Sequence, residues 1–495
     1  MKMKKYIIMS VFLGLGLSSC EDFLNLIPKN QKVVTTVEDV KVEMLAYWSA
    51  HTYDATPILS YGSSSNLSLP IYNDVNTHLC IYGDNLFLEE FNRHSDITEK
   101  VMSHFRVDRE WKGLGLAKAM WSSAYCSIGF MNSIIDDLVL MNPTKEEYET
   151  IGGEARMVRA WCLFKLMQFF CPYDKDAYGV PFNSDSQNTD PQPRKTLTEL
   201  YDFLEAELIE ISQFTTTPEP WNFFCNPTFI HSFMAEMYMY RAMSAAAREG
   251  DWKAAEDYSA MVIENYKIET SSGVLASLFS TSNVQYTTKN NLCALRLATE
   301  RICGIGGQFT SIWGLNNAQQ PSADLWNLYA DNDIRKQAWF MEAEEEGVKR
   351  VYVSKPQVSL WGPAGDVLVL YRKAEMYLIN CEAKCRQGFD DEAAEMLFKF
   401  RQQRIPGYNE PIGNNVLDEI VKERRRELCF EYGSRWLDMK RFGLTCKRSY
   451  IEENTSEMID DELTADDYRY TLPIPVDIEI DYNDIPQNPG WTTYD

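Results

Sequence analysis

The sequence predicts a mainly α-helical protein in which helical hairpins form a spine and long irregular segments form a loop-rich, ligand-binding face. Helical periodicity dominates wherever a pattern is clear, and two capping boxes mark helix starts, at Thr144 with Glu147 and at Thr196 with Glu199. Three long stretches without periodicity are rich in Ser, Asn, Gly, Tyr and Trp, and their aromatic content favours ordered functional loops over disorder. They cover residues 52–93, 183–194 and 271–320.

One helical hairpin is especially clear. Asn226 and Pro227 give an N-cap residue and a proline at the first helical position, and apolar residues recur at helical spacing until Gly250. A second helix returns from Asp251 to about Asn265. The tetrapeptide Ala-Glu-Met-Tyr occurs in this hairpin and again in a later one, at 235–238 and 374–377. Such hairpins resemble tetratricopeptide units of about 34 residues. Two further hairpins are expected, 121–135 with 153–170 and 196–214 with the helix that begins at 226.

The chain has 495 residues, of which 45% are apolar, and a formal net charge of −24. We expect one large domain over 20–495, with an N-terminal part of about 20–320 and a C-terminal part of about 321–495. So acidic a chain is repelled by phosphate backbones and anionic lipids, and no long basic run follows the first five residues. Nucleic acid is therefore excluded as a partner, and polar or neutral ligands are favoured.

The N-terminus resembles the leader of a bacterial lipoprotein. Three lysines within the first five residues precede an apolar segment at 6–17, which is too short to cross about 30 Å of hydrocarbon. Leu17-Ser18-Ser19-Cys20 has the form of a lipobox, so residues 1–19 are expected to be a signal peptide and Cys20 the lipid attachment site. An ordinary signal peptide with an incidental cysteine is the alternative. The later chain contains no run of 18 apolar residues, so we expect a soluble body anchored outside the cytoplasm.

No metal or other cofactor is expected. The histidines and cysteines lack the spacing of zinc ligands, and Cys162, Cys381 and Cys385 fall on apolar helix faces as small buried hydrophobes. Within 183–190, Asp185, Asn188 and Asp190 could supply oxygen ligands to calcium. Their order does not match an EF-hand loop, so a solvated polar loop is the favoured interpretation.

The sequence also argues against an enzyme. It lacks a Gly-x-Ser-x-Gly elbow and a His-Glu-x-x-His motif, and its Gly-rich segment at 304–307 lacks the Lys and Ser/Thr of a phosphate-binding loop. Acids and bases alternate over 423–441, where the spacing of Glu427, Glu431 and Arg435 predicts ordinary pairs on the surface of a scaffold helix. The group Glu154, Arg156 and Arg159 is interpreted similarly, with the arginines bracing loop ends.

Several short motifs occur in order along the chain. They are Cys20-Glu21-Asp22-Phe23-Leu24, Trp121 with Tyr125 and Asn132, Gly153-Glu154-Ala155-Arg156 with Arg159, Gly179-Val180-Pro181, Asp333 with Arg335, the 423–441 segment and Gln487-Asn488-Pro489-Gly490-Trp491. The order and spacing of these motifs resemble the SusD/RagB family of nutrient-binding lipoproteins. This resemblance implies a SusD-like fold and a surface-exposed lipoprotein of the outer membrane that sits over a SusC-like TonB-dependent transporter, captures a glycan and delivers it without breaking a bond.

The ligand residues cannot be transferred from the family by motif, so we chose them by chemistry. A sugar lays its apolar face on an aromatic ring while its hydroxyl groups bond to amide and charged side chains. Trp313, with Gln308 and Asn316 nearby, is the first candidate. The second candidates are Tyr61, Tyr72 and Tyr82, with Asn73 and Asp74. For each aromatic residue, anchoring of a loop against the spine is the alternative, whereas Trp121, Trp161, Trp252 and Trp436 are expected in the core.

Two other functions stay open at this point. The protein could be a scaffold that docks the transporter through its helical hairpins and binds no glycan, or its cargo could be a peptide or another nutrient. A secreted hydrolase is disfavoured because its motifs are missing.

Overall fold

The computed structural model describes most of the chain as a mainly helical fold, as the sequence predicts. The described residues are 34–50, 79–80, 82–88, 116–279, 301–306, 319–345, 347–355, 367–431, 433–451, 457–475 and 480–492. Cys20 and the leader lie outside them. The helices of six residues or more are α1 (Val37–Ala50), α2 (Leu116–Leu140), α3 (Gly153–Phe170), α4 (Leu197–Ser212), α5 (Pro227–Arg241), α6 (Asp251–Ile263), α7 (Ser272–Ser277), α8 (Ile334–Trp339), α9 (Lys373–Arg386), α10 (Asp390–Arg404), α11 (Val416–Leu428) and α12 (Ser434–Phe442).

Shorter helical turns and strands complete the described structure. The turns are Lys145–Glu147, Tyr148–Gly152, Asp176–Tyr178, Ala323–Trp326, Tyr468–Tyr470 and Asp481–Asn483. The strands are β1 (Leu86–Leu88), β2 (Arg301–Gly306), β3 (Gln319–Pro321), β4 (Phe340–Glu345), β5 (Val348–Val353), β6 (Val367–Arg372), β7 (Cys446–Ile451) and β8 (Met458–Leu463). One sheet has the order β3-β1-β7-β8, with β1 and β7 parallel, while β2 pairs with β6 and β4 with β5, both antiparallel.

The expected hairpins form the spine. Helices α5 and α6 pack together across the turn at Gly250, α9 and α10 pack across the turn at Gly388, and α6 packs against α9, so the two hairpins are neighbours. The Asn380 amide of α9 donates hydrogen bonds to the Glu256 carbonyl and the Ser259 hydroxyl of α6. Helices α2 with α3 and α4 with α5 also pack as expected. The tetratricopeptide-like character of these hairpins stays a prediction.

Local signals in the sequence act as expected. Both capping boxes are formed, because the Thr144 and Thr196 hydroxyls accept the backbone N–H of Glu147 and Glu199 while those carboxylates accept the threonine N–H. The described cysteines are free thiols, and Cys162 and Cys381 are fully buried. The prediction for Cys385 was wrong, because this residue is only partly buried and its thiol donates to the Asp390 carboxylate. Helix α3 is buried along its whole length. Trp121, Trp161 and Trp436 are also fully buried and Trp252 is partly buried, as predicted.

None of the described helices combines the length and apolarity that a membrane span requires.

Candidate functional site

Most of the predicted ligand residues lie outside the described residues. These are Trp313, Gln308 and Asn316 in the later long stretch and Tyr61, Tyr72, Asn73 and Asp74 in the earlier one. Their role therefore stays a prediction. The structure does show where the two stretches that carry them join the described fold.

The structure contradicts the prediction that Tyr82 contacts a ligand. Its side chain is only 1% exposed, its ring lies 5.9 Å from the Arg448 guanidinium carbon, and the Cys446 thiol donates to its carbonyl oxygen. A buried ring has no face on which a sugar can stack. Tyr82 therefore anchors the loop against the fold, which is the alternative that the sequence left open.

The two stretches that carry the candidates meet at one sheet edge. Strand β1 lies near the C-terminal end of the first stretch, 52–93, and pairs with β3 at the C-terminal end of the second, 271–320, so that Leu86 lies opposite Pro321 and Leu88 opposite Gln319. The backbone N–H of Ser322 donates to the Asn85 carbonyl and its hydroxyl donates to the Asp84 carbonyl. The ends of the two stretches are thus held side by side.

A pair of arginines fixes this junction. The Asp84 carboxylate accepts two hydrogen bonds from Arg435, at 2.7 and 2.6 Å, and the Arg425 guanidinium contacts both Asp84 and Asn85. Burial favours the protonated form of Asp84, but Arg435 and Arg425 outweigh it, so the pKa of Asp84 is lowered. Charge-assisted hydrogen bonds to a buried carboxylate restrict the position of the turn before β1.

Behind this junction lies a charged cluster that the sequence analysis placed wrongly on the surface. Glu423 and Glu427 of α11 are fully buried. Glu427 accepts hydrogen bonds from Arg335, Arg372 and Arg404, and Glu423 accepts them from Arg335, Arg401 and Arg426. Burial raises the pKa of each carboxylate, but the arginines more than offset it, so both pKa values lie below the usual range.

The predicted helical spacing also fails after α11. The helix ends at Leu428, so Glu431 and Arg435 are not on one helix with Glu427. Instead, Glu431 pairs with Arg372 and Lys355, and Arg435 pairs with Asp84. The scaffold interpretation holds, but its physical basis is a buried ion-pair network across several elements.

Glu154 has a related structural role. Its fully buried carboxylate accepts backbone N–H groups from Phe223, Phe224 and Cys225, which form the turn before α5. Burial raises the pKa of Glu154 to about 7 in spite of these hydrogen bonds. Arg156 pairs with Glu207 and Glu210 of α4, so the acid holds the loop and the arginine joins two helices.

A small internal cavity of about 30 Å³ lies among α5, α9, α11 and α12. It is lined by Lys165, Glu236 and Glu375, among others, and the Tyr371 hydroxyl donates to Glu236. Burial and the neighbouring Glu236 raise the pKa of Glu375 to about 8. This volume accommodates one or two water molecules but no sugar unit.

An open pocket of about 590 Å³ is formed by described residues. It lies among the segment that follows α3, the end of α12, residues 465–471 and residues 488–490, and Tyr468 stands in its wall with 42% of its surface exposed. The Gln487 amide group exchanges two hydrogen bonds with the Ile474 backbone, and the Asn488 amide donates to the Phe170 and Leu472 carbonyls. The C-terminal motif therefore builds part of the pocket.

This pocket is not predicted by the sequence. Tyr468 belongs to a short non-periodic segment with adjacent acids, Asp466 and Asp467, which is the same kind of signal that led to Trp313. The pocket walls come from five segments of the chain, 172–175, Met243, 440–443, 465–471 and 488–490, and only the folded structure brings them together.

The loop at 183–190 is also described. Asp185 accepts the Gln187 backbone N–H, Asn188 accepts that of Asp190, and the Asn183 amide donates to two carbonyls of the same loop. These hydrogen bonds account for the fold of the loop without a cation. Among the described residues, no group of three or more His, Cys, Asp or Glu side chains has the arrangement of a metal site.

Comparison with known protein families identifies two matching segments. The model described as "SusD family" matches residues 353–491, and the model described as "Starch-binding associating with outer membrane" matches residues 69–217. The SusD-like protein P2 of Formosa agariphila is 21% identical over 426 residues, which cover 76% of this chain and 81% of that protein.

Solved structures share the fold. A SusD superfamily protein from Bacteroides vulgatus superposes with a TM-score of 0.67 at 22% identity, covering 92% of this chain and 99% of that one. A SusD-like carbohydrate-binding protein from the same organism gives a TM-score of 0.62 at 19% identity, with 87% and 89% of the chains covered.

Proposed function

Because the chain belongs to the SusD/RagB family, we propose that it is a non-catalytic lipoprotein that binds an extracellular glycan at the cell surface. It then passes the glycan to a SusC-like TonB-dependent transporter in the outer membrane. The observation that carries this proposal is the match of residues 69–217 to a family described as starch-binding and associated with the outer membrane. A solved relative described as carbohydrate-binding adds support.

The proposed binding residues are the loop candidates from the sequence. Trp313, Tyr61 and Tyr72 provide rings for stacking, and Gln308, Asn316, Asn73 and Asp74 provide polar groups for the sugar hydroxyls. The pairing of β1 with β3 supports a shared site, because it holds the ends of the two stretches next to each other. Binding groups on loops that a rigid scaffold positions are typical of recognition proteins.

The acidic residues of the described fold are consistent with a protein that binds a glycan without cleaving it. Glu423, Glu427 and Glu154, the acids that drew attention in the sequence, are committed to arginines or backbone N–H groups and are buried. They are therefore not available to act as the exposed carboxylate pair of a glycosidase.

The central experiment uses a soluble form that begins after Cys20. We expect it to be retained by one class within a panel of polysaccharides and glycoprotein glycans, and the bound glycan to be recovered at its original length. Release of new reducing ends by the purified protein would contradict the non-catalytic role. Lack of retention by every glycan would contradict glycan cargo and favour a peptide or another nutrient.

Membrane attachment has its own test. In cells that express the full chain, Cys20→Ala should move the protein from the membrane fraction to the soluble fraction, because the acyl chains provide the attachment. Cys126→Ala, which changes an exposed cysteine of α2, is the matched control and should leave the protein with the membrane. Equal fractionation of both variants would contradict the lipid anchor. In the native membrane, the wild-type chain should co-purify with its transporter.

A further inference from the structure

The open pocket of about 590 Å³ has the size of a small-ligand site, since such sites usually measure about 300–1,000 Å³. It differs from the loop candidates because described residues form it. We infer that this pocket is a second glycan-contact site, which takes a neutral, hydroxyl-rich saccharide unit against the ring of Tyr468. The inference rests on the proposed glycan-binding function and adds a site and a class of sugar to it.

Tyr468 is a fixed platform. Its ring meets Trp491 edge to face, with centroids 4.9 Å apart and planes at 83°. Gly490, with a φ of 90°, lies directly beneath it, and a Cβ at that position would come within 2.3 Å of the tyrosine ring. Only glycine permits this approach. The ring is therefore held in one orientation while 42% of the residue stays exposed, so stacking a sugar on it costs little side-chain entropy.

Most of the charged groups around the pocket have an ion-pair partner. Asp174 pairs with Lys175 at 2.8 Å, Asp467 pairs with Arg469 at 2.7 Å, and Arg441 is held by the buried Glu382 and Asp438. An ammonium or an anionic group on the ligand would have to compete with these pairs.

Two charged groups of the lining have no ion pair within the described residues. Asp466 is exposed and accepts only the Thr464 hydroxyl. The Lys440 ammonium donates to the Gln168 and Cys171 carbonyls, each at 2.8 Å, and lies 4.0 Å from the Tyr173 ring centroid. Asp466 is therefore open to a further donor, whereas Lys440 is held by the two carbonyls and burial lowers its pKa to about 7.

The hydroxyl groups of a sugar match the hydrogen-bonding groups of this pocket. A sugar hydroxyl donates to a carboxylate such as Asp466, which is exposed at the pocket. A uronate or a sulfated sugar would bring a negative charge beside three aspartates, Asp174, Asp466 and Asp467. The pocket therefore favours neutral sugars.

The test measures equilibrium binding of the retained polysaccharide class to the wild type, Tyr468→Ala and Asp466→Asn, with Tyr482→Ala as control. Tyr482 is another exposed tyrosine, 57% exposed and outside the pocket lining. We expect about tenfold weaker binding for Tyr468→Ala, about threefold to tenfold for Asp466→Asn, and no change for the control. Asp466→Asn alters an exposed side chain, so it tests the site even when Tyr468→Ala folds poorly.

The outcomes separate this inference from the proposed function. If Trp313→Ala weakens glycan binding while Tyr468→Ala and Asp466→Asn both bind as tightly as the wild type, the second site is overturned and the proposed function is not. Absence of binding by the wild type to any glycan would overturn both proposals. Tighter binding of an acidic form of the glycan than of its neutral form would overturn the neutral class.

Discussion

Helix α11 lies between two buried regions of opposite chemistry. Near its start, Ile420 packs with Leu378 of α9 and Leu397 of α10 in a purely apolar cluster. Two turns later, Glu427 of the same helix binds the guanidinium groups of Arg335, Arg372 and Arg404. Both regions exclude water, but one is stabilised by apolar area and the other by a network of ion pairs.

The comparison teaches what each kind of core determines. Apolar burial is nondirectional, so it holds helices together over a range of positions. An ion-pair network requires specific donor and acceptor geometry, because a misplaced buried charge is costly. The arginines that meet Glu427 come from α8, β6 and α10, so this network fixes how strands and hairpins are placed relative to α11.

The largest expected effect comes from an almost isosteric change in the charged region. Glu427→Gln removes a carboxylate that three buried guanidinium groups share. Arg335 keeps Glu423 and Arg372 keeps Glu431, but Arg404 loses its ion pair with Glu427, and we expect the free energy of unfolding to fall by about 3–5 kcal/mol. Urea unfolding followed by circular dichroism measures this. Lys253→Met, which breaks an exposed pair with Asp257 on α6, is the control and should give no resolvable change. A loss below about 1 kcal/mol for Glu427→Gln would break the distinction between the two regions.

A smaller effect is expected at Glu154, a buried acid that faces backbone N–H groups instead of arginines. Its pKa is about 7 in the folded chain against an ordinary value of 4.5. The folded state therefore binds the extra proton, and this stabilisation is fully present below about pH 4.5 and is lost as the pH rises through 7. Between pH 5 and 8, the unfolding free energy of the wild type should fall by roughly 1–3 kcal/mol relative to Glu154→Gln.

The contrast with Glu427 sharpens this prediction. The pKa of Glu427 is lowered, so its contribution is present near neutral pH and is lost only in acid. The readout is the difference in unfolding free energy between wild type and variant across pH. A difference that does not vary between pH 5 and 8 would contradict the raised pKa of Glu154.

The smallest effect is expected in the apolar region. Leu397→Met preserves volume and apolarity, and we expect a loss of less than about 1.5 kcal/mol. Unfolding in urea, under the conditions used for Glu427→Gln, measures it. A loss as large as that of Glu427→Gln would show that the apolar cluster is as geometrically demanding as the charged one.

The two regions also differ in how well the sequence predicts them. The α5–α6 and α9–α10 hairpins follow from helical period, capping residues and glycine turns, because these are local signals. The prediction of surface pairs for Glu427 and Glu431 was wrong because the sequence does not distinguish a buried charge from a surface charge. Their partners Arg335 and Arg372 are distant in the chain. The prediction that Tyr82 binds a sugar was wrong for a similar reason, since the burial of its ring depends on β7.

The candidate site shows the same limit. Aromatic residues in non-periodic segments were a useful signal, but they cannot distinguish an exposed ring such as Tyr468 from a buried one such as Tyr82. That distinction depends on which distant segments pack around each ring. Gly490 and Trp491 hold Tyr468 at a pocket wall, and neither neighbour is visible from its local sequence.

The central claim is that the loops bind glycan while the buried networks support the fold, so binding and stability should be separable. The most direct measurement is glycan affinity and unfolding free energy for Trp313→Ala. We expect at least tenfold weaker binding, with an unfolding free energy within about 0.5 kcal/mol of wild type. Unchanged affinity, or a loss of stability comparable to that of Glu427→Gln, would contradict the claim and assign Trp313 to the support of the loop.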